Sequence, residues 1–470
     1  MACPRTVRVR PSPDRVLASL FKKSRLYTAT GVGILVILAG QGCKTASKQT
    51  APITITLIDQ NWPDEESRRH RVEEFRRFTN ETGIRVELMP SPEDAVEQLV
   101  VWRELLDNHA TVPDVYAMDT IWPAILGDHL LDLKPYVSAQ EIADQFPGLI
   151  ANFTVNGRLV ALPYYLNTGL LFYRTDLLRK YGYNAPPKSW EELEKASARI
   201  QAGERARGQK NFWGFVWQGA ATEALTCNAL EWQVSEGGGN ILEKDAVTVN
   251  NRQTIRAWKM AARWPGSISP PSVVAYKEWD AFNRWRTGQA VFMRNWSNAY
   301  IVASAENSPV RGKFGISSLP RGQAGISGTL GGDGYAVSRY SLHPREAAML
   351  VRFLSGRNQQ LRRSQKPGEP PTIPELYKNP SVLAANPYFS DVLLVYQNGI
   401  ALRPSALTGK MYPDVSRAYF EAVHAVLTHK KTAETAAADL QGKLTQITGF
   451  KATATPPVGQ PVKADTALAR

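Results

Sequence analysis

The chain has 470 residues, 43% of them hydrophobic, and a formal net charge of +13. This length predicts more than one domain and a sizeable core, and the composition excludes a wholly disordered or collagen-like chain. The three cysteines, Cys3, Cys43 and Cys227, can build neither a disulfide framework nor a four-ligand zinc site.

The positive charge is concentrated at the N-terminus. Residues 1–42 contain seven basic residues and one acidic residue, so they carry +6 of the total, and the rest of the chain carries +7. Because that remainder contains no compact basic block, it lacks the charge pattern of a nucleic-acid-binding surface. We therefore expect no nucleic-acid partner.

An apolar run from Leu26 to Ala39 follows the basic stretch and is shorter than the roughly 20 residues of a membrane-spanning helix. Small residues then lead to Cys43, and the segment resembles a bacterial lipoprotein signal, although Gly40 stands where that family usually has Leu. The resemblance implies a signal peptide over 1–42, lipidation of Cys43 and a tether over 43–52. The alternatives are an uncleaved signal anchor and a secretory signal without lipidation. Each places the rest of the chain outside the cytoplasm, on the periplasmic or cell-surface side.

Strands and helices alternate at the start of the exported part. Apolar periodicity predicts them in the order strand Ile53–Ile58, helix Glu65–Phe78, strand Ile84–Met89, helix Glu93–His109 and strand Asp114–Met118. This alternation predicts βαβ units, an α/β fold and a mainly parallel sheet. Ligands of such sheets bind at the carboxyl ends of strands, where residues 59–64 and 119–122 lie.

The later elements are less regular. We predict strands over 161–166, 313–319 and 334–337, a helix over 176–181, and further helices within 186–306 and 375–448. Ser189 followed by Glu192 has the pattern of a helix N-cap. Residues 366–374 are rich in Pro and Gly and predict a connection, and the tail from Lys451 predicts disorder.

Patterns of enzyme active sites are mostly absent. The sequence contains no P-loop, no nucleophile elbow and no histidine pair with metal-ligand spacing. Cys227 lies in an apolar stretch and is expected to be a small core residue. The sequence does not exclude a pair of glycosidase carboxylates, although it indicates no particular pair.

Six segments of the chain together resemble the sugar-binding proteins of bacterial ABC importers, in particular the trehalose/maltose-binding branch. The resemblance runs from Ile53 to Phe450. The segments are Pro113–Asp119, Leu162–Tyr173, Pro186–Leu193, Phe212–Gly219, Phe292–Trp296 and Thr329–Gly332.

The resemblance implies a two-lobe periplasmic-binding-protein fold of type II, with sheets flanked by helices and a ligand cleft between the lobes. It implies an N-terminal lobe of residues 53–162 and 328–366 and a C-terminal lobe of residues 163–327 and 367–450. Hinges are expected near 162–166, 319–328 and 366–374. The expected partners are a sugar and an ABC permease, and the expected protein is a monomeric receptor that needs no cofactor or metal and catalyses no reaction.

Sugars present hydroxyl edges, which favour charged hydrogen-bonding groups, and apolar faces, which favour flat rings. The residues that the resemblance implies for ligand binding are Asp119, Tyr165, Asn167, Trp296, Gly331, Gly332 and Arg403, with Asp64 or Glu66 in the first loop. Each of four has a structural alternative: a helix N-cap for Asp119, strand packing for Tyr165, core packing for Trp296 and a surface ion pair for Arg403. Glu223 is expected to be a solvated acid at a helix start.

Two positions depart from the family. Asp333 stands where close relatives have a stacking Trp, and Tyr335 two residues later is a possible substitute ring. An apolar residue near Leu99 replaces an Arg expected to reach the ligand. These departures leave the identity of the disaccharide open. The alternative functions are a glycan-acting enzyme outside the cytoplasm and a sugar sensor for a membrane kinase.

Overall fold

Two β-sheets organise the described part of the chain, which is residues 52–60 and 65–453 of a computed structural model, without the side chains of residues 66 and 67. The predicted signal peptide, Cys43, almost all of the tether, Asp64 and the tail from residue 454 lie outside the described residues. None of the described helices combines the length and the apolar character that a bilayer span requires.

The strands are β1 Thr54–Ile58, β2 Arg85–Met89, β3 Val115–Asp119, β4 Thr154–Val155, β5 Arg158–Leu159, β6 Leu162–Thr168, β7 Leu170–Arg174, β8 Trp213–Val216, β9 Leu242–Glu243, β10 Ala246–Val247, β11 Ala290–Asn295, β12 Phe314–Ser318, β13 Gly328–Val337, β14 Ile400–Ala401 and β15 Lys451–Ala452.

The α-helices are α1 Glu65–Thr82, α2 Ala95–Asp107, α3 Pro123–Leu126, α4 Ala139–Ala143, α5 Pro147–Asn152, α6 Thr175–Lys180, α7 Trp190–Ala206, α8 Glu223–Ser235, α9 Arg252–Ala262, α10 Glu278–Arg284, α11 Asn298–Ser304, α12 Pro344–Ser355, α13 Arg357–Ser364, α14 Pro380–Ala385, α15 Phe389–Asn398, α16 Ser405–Thr408, α17 Tyr412–Leu427 and α18 Ala433–Thr448.

The first sheet has the strand order β14-β13-β3-β1-β2, with β6 paired to β13. β1 is parallel to β2 and β3, as the βαβ pattern predicts, whereas β13 is antiparallel to β3 and β6. The second sheet has the order β12-β7-β11-β8, and only its β11–β8 pair is parallel. The α/β class is confirmed, but both sheets are mixed, so the expectation of mainly parallel sheets is wrong for the second.

Three clusters of buried apolar side chains form the interior. The first core packs β1, β3 and the start of β6 against α2 and α12. The second and third cores lie on opposite faces of the second sheet, with Leu171 and Phe292 in the second and Phe172 and Met293 in the third. The first core draws most of its residues from 53–162 and 328–366, and the proposed lobe boundaries stay a prediction.

Two long strands connect these cores. In β6, Leu162 packs in the first core and Leu166 packs in the third. In β13, Tyr335 packs in the first core and Leu330 packs in the third. The connection 366–374 lies beside them, because the amide of Leu166 donates to the carbonyl of Pro370 at 2.9 Å. Backbone segments that pass between two cores are places where a hinge could act. The hinge segments expected from the resemblance stay a prediction.

Several boundaries follow from local chemistry. α1 ends at Thr82 because Gly83 takes a positive φ of 77°. The Ser189 hydroxyl accepts from the amide of Glu192, as the capping pattern predicts. Lys451 and Ala452 form β15 against β10, so the expected disorder is wrong for these two residues.

The prediction that residues 186–306 contain further helices overlooked β8 and β11. Every residue of β11 is buried, because both faces of the strand are covered. A strand covered on both faces loses its apolar–polar alternation, and a short continuous apolar run cannot be distinguished from a buried helix. The error therefore has a tertiary cause.

Candidate ligand-binding cleft

A cavity of about 1520 Å³, counting the part that opens to solvent, is lined by residues of the first sheet, by Trp296 just after β11 of the second sheet, and by residues at the starts of four helices. Strands β3, β6, β11 and β13 end at or pass along this cavity, so the strand-end rule located part of it. The lining residues are Gln60, Glu93, Asp94, Ala95, Val96, Gln98, Asp119, Tyr165, Asn167, Thr222, Glu223, Ala224, Cys227, Lys277, Glu278, Trp279, Asp280, Trp296, Asn298, Gly331, Gly332, Asp333 and Arg403.

Eight of the residues that the resemblance implied are therefore neighbours of one cavity: Asp119, Tyr165, Asn167, Trp296, Gly331, Gly332, Asp333 and Arg403. Their role in binding stays a prediction. In the described residues, no cluster of three or more His, Cys, Asp or Glu is arranged to hold a metal ion.

Arg403 joins the two sides of the cavity. Its guanidinium lies 3.2 Å from Asp119 at the end of β3 and 3.1 Å from Glu223 at the start of α8. The Arg403 side chain is 4% exposed, so this is not the surface ion pair of the structural alternative. A guanidinium offers five donors in a planar fork, and the Nε of Arg403 has no hydrogen-bond partner in the described protein. This geometry leaves one donor available beside two fixed carboxylates.

Glu223 is not the solvated helix-start acid that the sequence suggested. Its carboxylate accepts from Arg403, from the Tyr412 hydroxyl at 2.5 Å and from the Ser416 hydroxyl at 2.6 Å. The partners come from α17 and from the segment after β14, far away in the sequence. These hydrogen bonds hold the Glu223 carboxylate beside the cavity in a single orientation.

Asp119, Asp333 and Tyr165 form a row across three neighbouring strands. Asp333 on β13 is opposite Asp119 on β3 and opposite Tyr165 on β6. Cβ atoms of directly opposed residues lie about 4.5–5.5 Å apart, so the two carboxyl groups are close neighbours. Burial raises the pKa of Asp333 well above its usual value, and the Asp119 carboxylate raises it further, while a hydrogen bond with Tyr165 opposes the rise.

Asn167 connects the two sheets beside this row. Its side-chain oxygen accepts from the amides of Thr168 and Ser297, each at 3.0 Å. Ser297 follows β11, so the contact joins β6 to the second sheet. Among the described residues, none accepts a hydrogen bond from the Asn167 amide nitrogen, which therefore remains available at the cavity wall.

Trp296 provides the aromatic surface of the cavity. The guanidinium of Arg294 lies 4.0 Å from the centre of its ring, and the ring is half-buried rather than part of a core. Arg294 itself is held by a two-point contact with Glu231, at 2.9 and 2.5 Å, and both side chains are at most 1% exposed. A buried cation beneath the ring fixes its plane and leaves the ring accessible from the cavity.

Gly331 and Gly332 of β13 line the cavity and are also required by the packing around them. Gly332 has a positive φ of 110°, and a Cβ there would lie 2.3 Å from the carbonyl oxygen of Tyr165. A Cβ on Gly331 would lie 3.1 Å from the Trp296 ring. Glycine is therefore needed at 332 for strand pairing and at 331 to leave room for the ring.

Tyr335 does not reach the cavity. Its hydroxyl donates to Asp59 at 3.0 Å and its ring packs on Tyr164 in the first core. The expectation that this ring replaces a stacking Trp is therefore wrong, because the ring is buried in the first core and does not line the cavity. Leu99 is buried in the first core and does not line the cavity. Asp64 and the side chain of Glu66 lie outside the described residues.

Residues 74–389 match the family of bacterial extracellular solute-binding proteins. The chain belongs to this family. A relative from Deinococcus radiodurans, named as a probable ABC transporter-binding protein, is 43% identical over 374 residues, which is 79% of this chain and 89% of the relative.

Solved structures agree with the assignment to the solute-binding family. The maltose-bound MalE3 of T. maritima superposes with a TM-score of 0.78 and 32% identity, over 84% of this chain and all of that one. A solute-binding protein of Thermotoga lettingae bound to α-D-tagatose superposes with a TM-score of 0.75 and 21% identity, over the same shares. The second likeness supports the fold alone.

In this solute-binding protein, sequence reasoning missed one whole wall of the cavity. Asp94 and Gln98 at the start of α2 follow the carboxyl end of β2, and the strand-end rule applied there would have found them. Lys277, Glu278 and Trp279 at the start of α10 carry no such signal, because only folding brings that helix to the cavity. Cys227 is buried as expected, and burial raises the pKa of its thiol, but it also borders the cavity.

Proposed function

We propose that the chain is a non-enzymatic receptor that captures a sugar in this cleft, with a disaccharide of the maltose or trehalose kind favoured, and delivers it to the permease of an ABC importer. The observation that carries the proposal is one cavity with the Trp296 ring as an apolar surface and the Asp119–Arg403–Glu223 array as a fixed polar surface.

The relatives support this proposal. The Deinococcus radiodurans protein carries the name of an ABC transporter-binding protein, and the T. maritima protein holds maltose. We further propose that a lipid on Cys43 anchors the receptor at the outer side of a membrane and that it acts as a monomer.

The proposed mechanism is a population shift. A ligand that contacts both sides of the cleft binds the closed arrangement better than an open one, and can shift the equilibrium only by that difference in affinity. The proposed hinges are the segments near 162–166, 319–328 and 366–374. The permease then recognises the closed receptor.

The first test is a thermal-shift screen of the exported chain against maltose, trehalose, longer maltodextrins, monosaccharides and polyols. A ligand at 100 times its Kd adds about 2.7 kcal/mol of apparent stability, so a disaccharide is expected to raise Tm by several degrees. Analysis of the same mixtures by chromatography should recover the sugar unchanged. Conversion of the bound sugar into products would contradict the receptor proposal, and the absence of any shift across the panel would contradict sugar capture.

The ion pair between Lys277 and Asp94, at 2.8 Å, joins the starts of α10 and α2 at the cavity. Asp94 caps α2 and Lys277 precedes α10, so the pair forms only when the two sides approach. The Lys277 side chain is 53% exposed, so such a pair contributes at most about 1 kcal/mol. We expect Lys277→Ala to weaken sugar binding by no more than about 5-fold and to reduce the salt dependence of Kd, measured by calorimetry at two ionic strengths.

The matched control for that substitution is Lys195→Ala. Lys195 pairs with Glu191 on the surface of α7, and neither residue lines the cavity. This variant should bind sugar with unchanged affinity and unchanged salt dependence. Equal effects of the two substitutions would contradict a role of the Lys277–Asp94 pair at the cavity.

A further inference from the structure

The cavity has a strong excess of acidic groups. Of the described residues that line it, seven carry carboxyl groups and only two, Lys277 and Arg403, carry a positive charge. A neutral polyhydroxylated ligand needs acceptors, but it does not need an excess of negative charge. The partners of each carboxyl group therefore indicate what the ligand must supply.

Most of these carboxyl groups have partners within the protein. Burial raises the pKa of Glu278 at the start of α10, but the Arg294 guanidinium and a hydrogen bond with Trp296 oppose that rise. Arg403 neutralises Asp119 and Glu223, and Lys277 neutralises Asp94. Glu93 is exposed to solvent, where water screens its charge. Asp280 is also exposed, and it caps α10 by accepting from the amide of Lys277.

Asp333 is the exception among the lining carboxyls of the first sheet. It is 4% exposed, and its Oδ2 atom has no hydrogen-bond partner in the described protein. The cation nearest to this row, Arg403, is already shared between Asp119 and Glu223. A buried acceptor without a partner costs about 1–3 kcal/mol, and more when it is charged. A ligand that brings a donor to Oδ2 recovers this cost.

We propose that this donor is a protonated amine, so that the ligand is an amino sugar or another amine-bearing polyol whose ammonium group contacts Asp333. This inference rests on the proposed sugar receptor and names the class of sugar. An ammonium group supplies the missing hydrogen bond and a positive charge that stabilises the ionised carboxylate, whereas a hydroxyl supplies only the hydrogen bond. Tyr165 and Asn167 then surround the same position with neutral polar groups.

Binding of an ammonium group has a proton signature. Burial raises the pKa of Asp333 well above its usual value in the empty cleft, and the nearby carboxyl groups of Asp119, Glu369 and Asp59 add to the rise. An adjacent ammonium group favours the charged carboxylate and lowers that pKa. Binding of the amine therefore releases a proton, and its affinity rises with pH for as long as the amine itself stays protonated.

The test compares matched ligands by isothermal titration calorimetry. The probes are trehalose and maltose, their analogues with one hydroxyl replaced by an amine at each ring position in turn, and the N-acetylated forms of those analogues. At least one amino analogue is expected to bind 10-fold or more tightly than both its hydroxyl and its N-acetyl counterparts. Titrations in buffers of different ionisation enthalpy should report proton release for that analogue alone.

The variant that tests the residue is Asp333→Asn, which retains the size and an acceptor and removes the charge. It should abolish the 10-fold preference for the amino analogue over its hydroxyl and N-acetyl counterparts. Glu93→Gln, an exposed acid at the same cavity, is the matched control and should retain the preference. Thermal unfolding of the empty variants checks that both fold.

Two results would overturn the inference while leaving the sugar receptor intact. One is binding of neutral disaccharides with no amino analogue preferred. The other is a preference that survives Asp333→Asn or that Glu93→Gln reduces as strongly. Failure of every neutral and amino sugar to bind would overturn the proposed function together with the inference.

Discussion

Replacement of Trp296 by alanine is expected to weaken sugar binding by about 30-fold or more and to reduce the ligand-induced rise in Tm to about a third of its value at the same ligand concentration. The ring is the large flat apolar surface held at the cavity by a cation on its far side, with Arg294 at 4.0 Å from its centre. Truncation of a buried aromatic anchor in a binding site typically costs 2 kcal/mol or more, which corresponds to that fold-change. Calorimetry with the best ligand of the thermal-shift screen measures the effect.

Trp213→Ala is the matched control for that prediction. Trp213 is also half-buried and also lies under an arginine, since the Arg205 guanidinium is 4.2 Å from its ring, but it does not line the cavity. It should lose a similar amount of stability and bind sugar normally. The assignment of Trp296 to the binding surface would be wrong if both variants bound sugar equally well.

Arg294→Met is expected to lower the free energy of unfolding by about 3–5 kcal/mol. Arg294 and Glu231 are at most 1% exposed and pair through two contacts, and Glu231 also accepts from the amide of Thr329 on β13. Removing one partner of such a pair leaves an uncompensated buried charge, which is the source of the loss. Urea denaturation followed by tryptophan fluorescence measures it.

Two further variants separate this explanation from a simple packing defect. The double variant Arg294→Met, Glu231→Gln removes both charges and retains an acceptor for Thr329, so it should recover most of the lost stability. Arg256→Met breaks a pair with Glu236 in which the arginine is 43% exposed, and it should cost about 1 kcal/mol or less. If the double variant were as unstable as Arg294→Met alone, the uncompensated charge would not be the cause.

Much of the first sheet could be predicted from the sequence, because its signals are local. β1, α1, β2, α2 and β3 alternate with the expected periodicities, and their bounds differ from the predictions by a few residues. The position of Asp119 at the end of β3 also follows from that order. β8 and β11 were missed because burial on both faces removes the alternation that identifies a strand.

The candidate site likewise has features with a local sequence signal and features that depend on tertiary contacts. The family resemblance predicted which side chains lie together at the cavity, but not their hydrogen-bond partners or their burial. Glu223 is held by Arg403, Tyr412 and Ser416, which are about 180–190 residues away in the chain. The Tyr335 ring lies in the first core, where its hydroxyl donates to Asp59, 276 residues away in the chain. Neither result has a local sequence signal.

The amino-acid sequence by itself determined the α/β class, the order of the first five elements and the membership in a solute-binding family, because periodicity, caps and motifs act over a few residues. The tertiary structure decided which acids at the cleft are compensated and which ring faces it. Charge compensation and exposure depend on neighbours that only folding brings together, and Asp333, buried with one oxygen unpartnered, is the residue where that difference matters most.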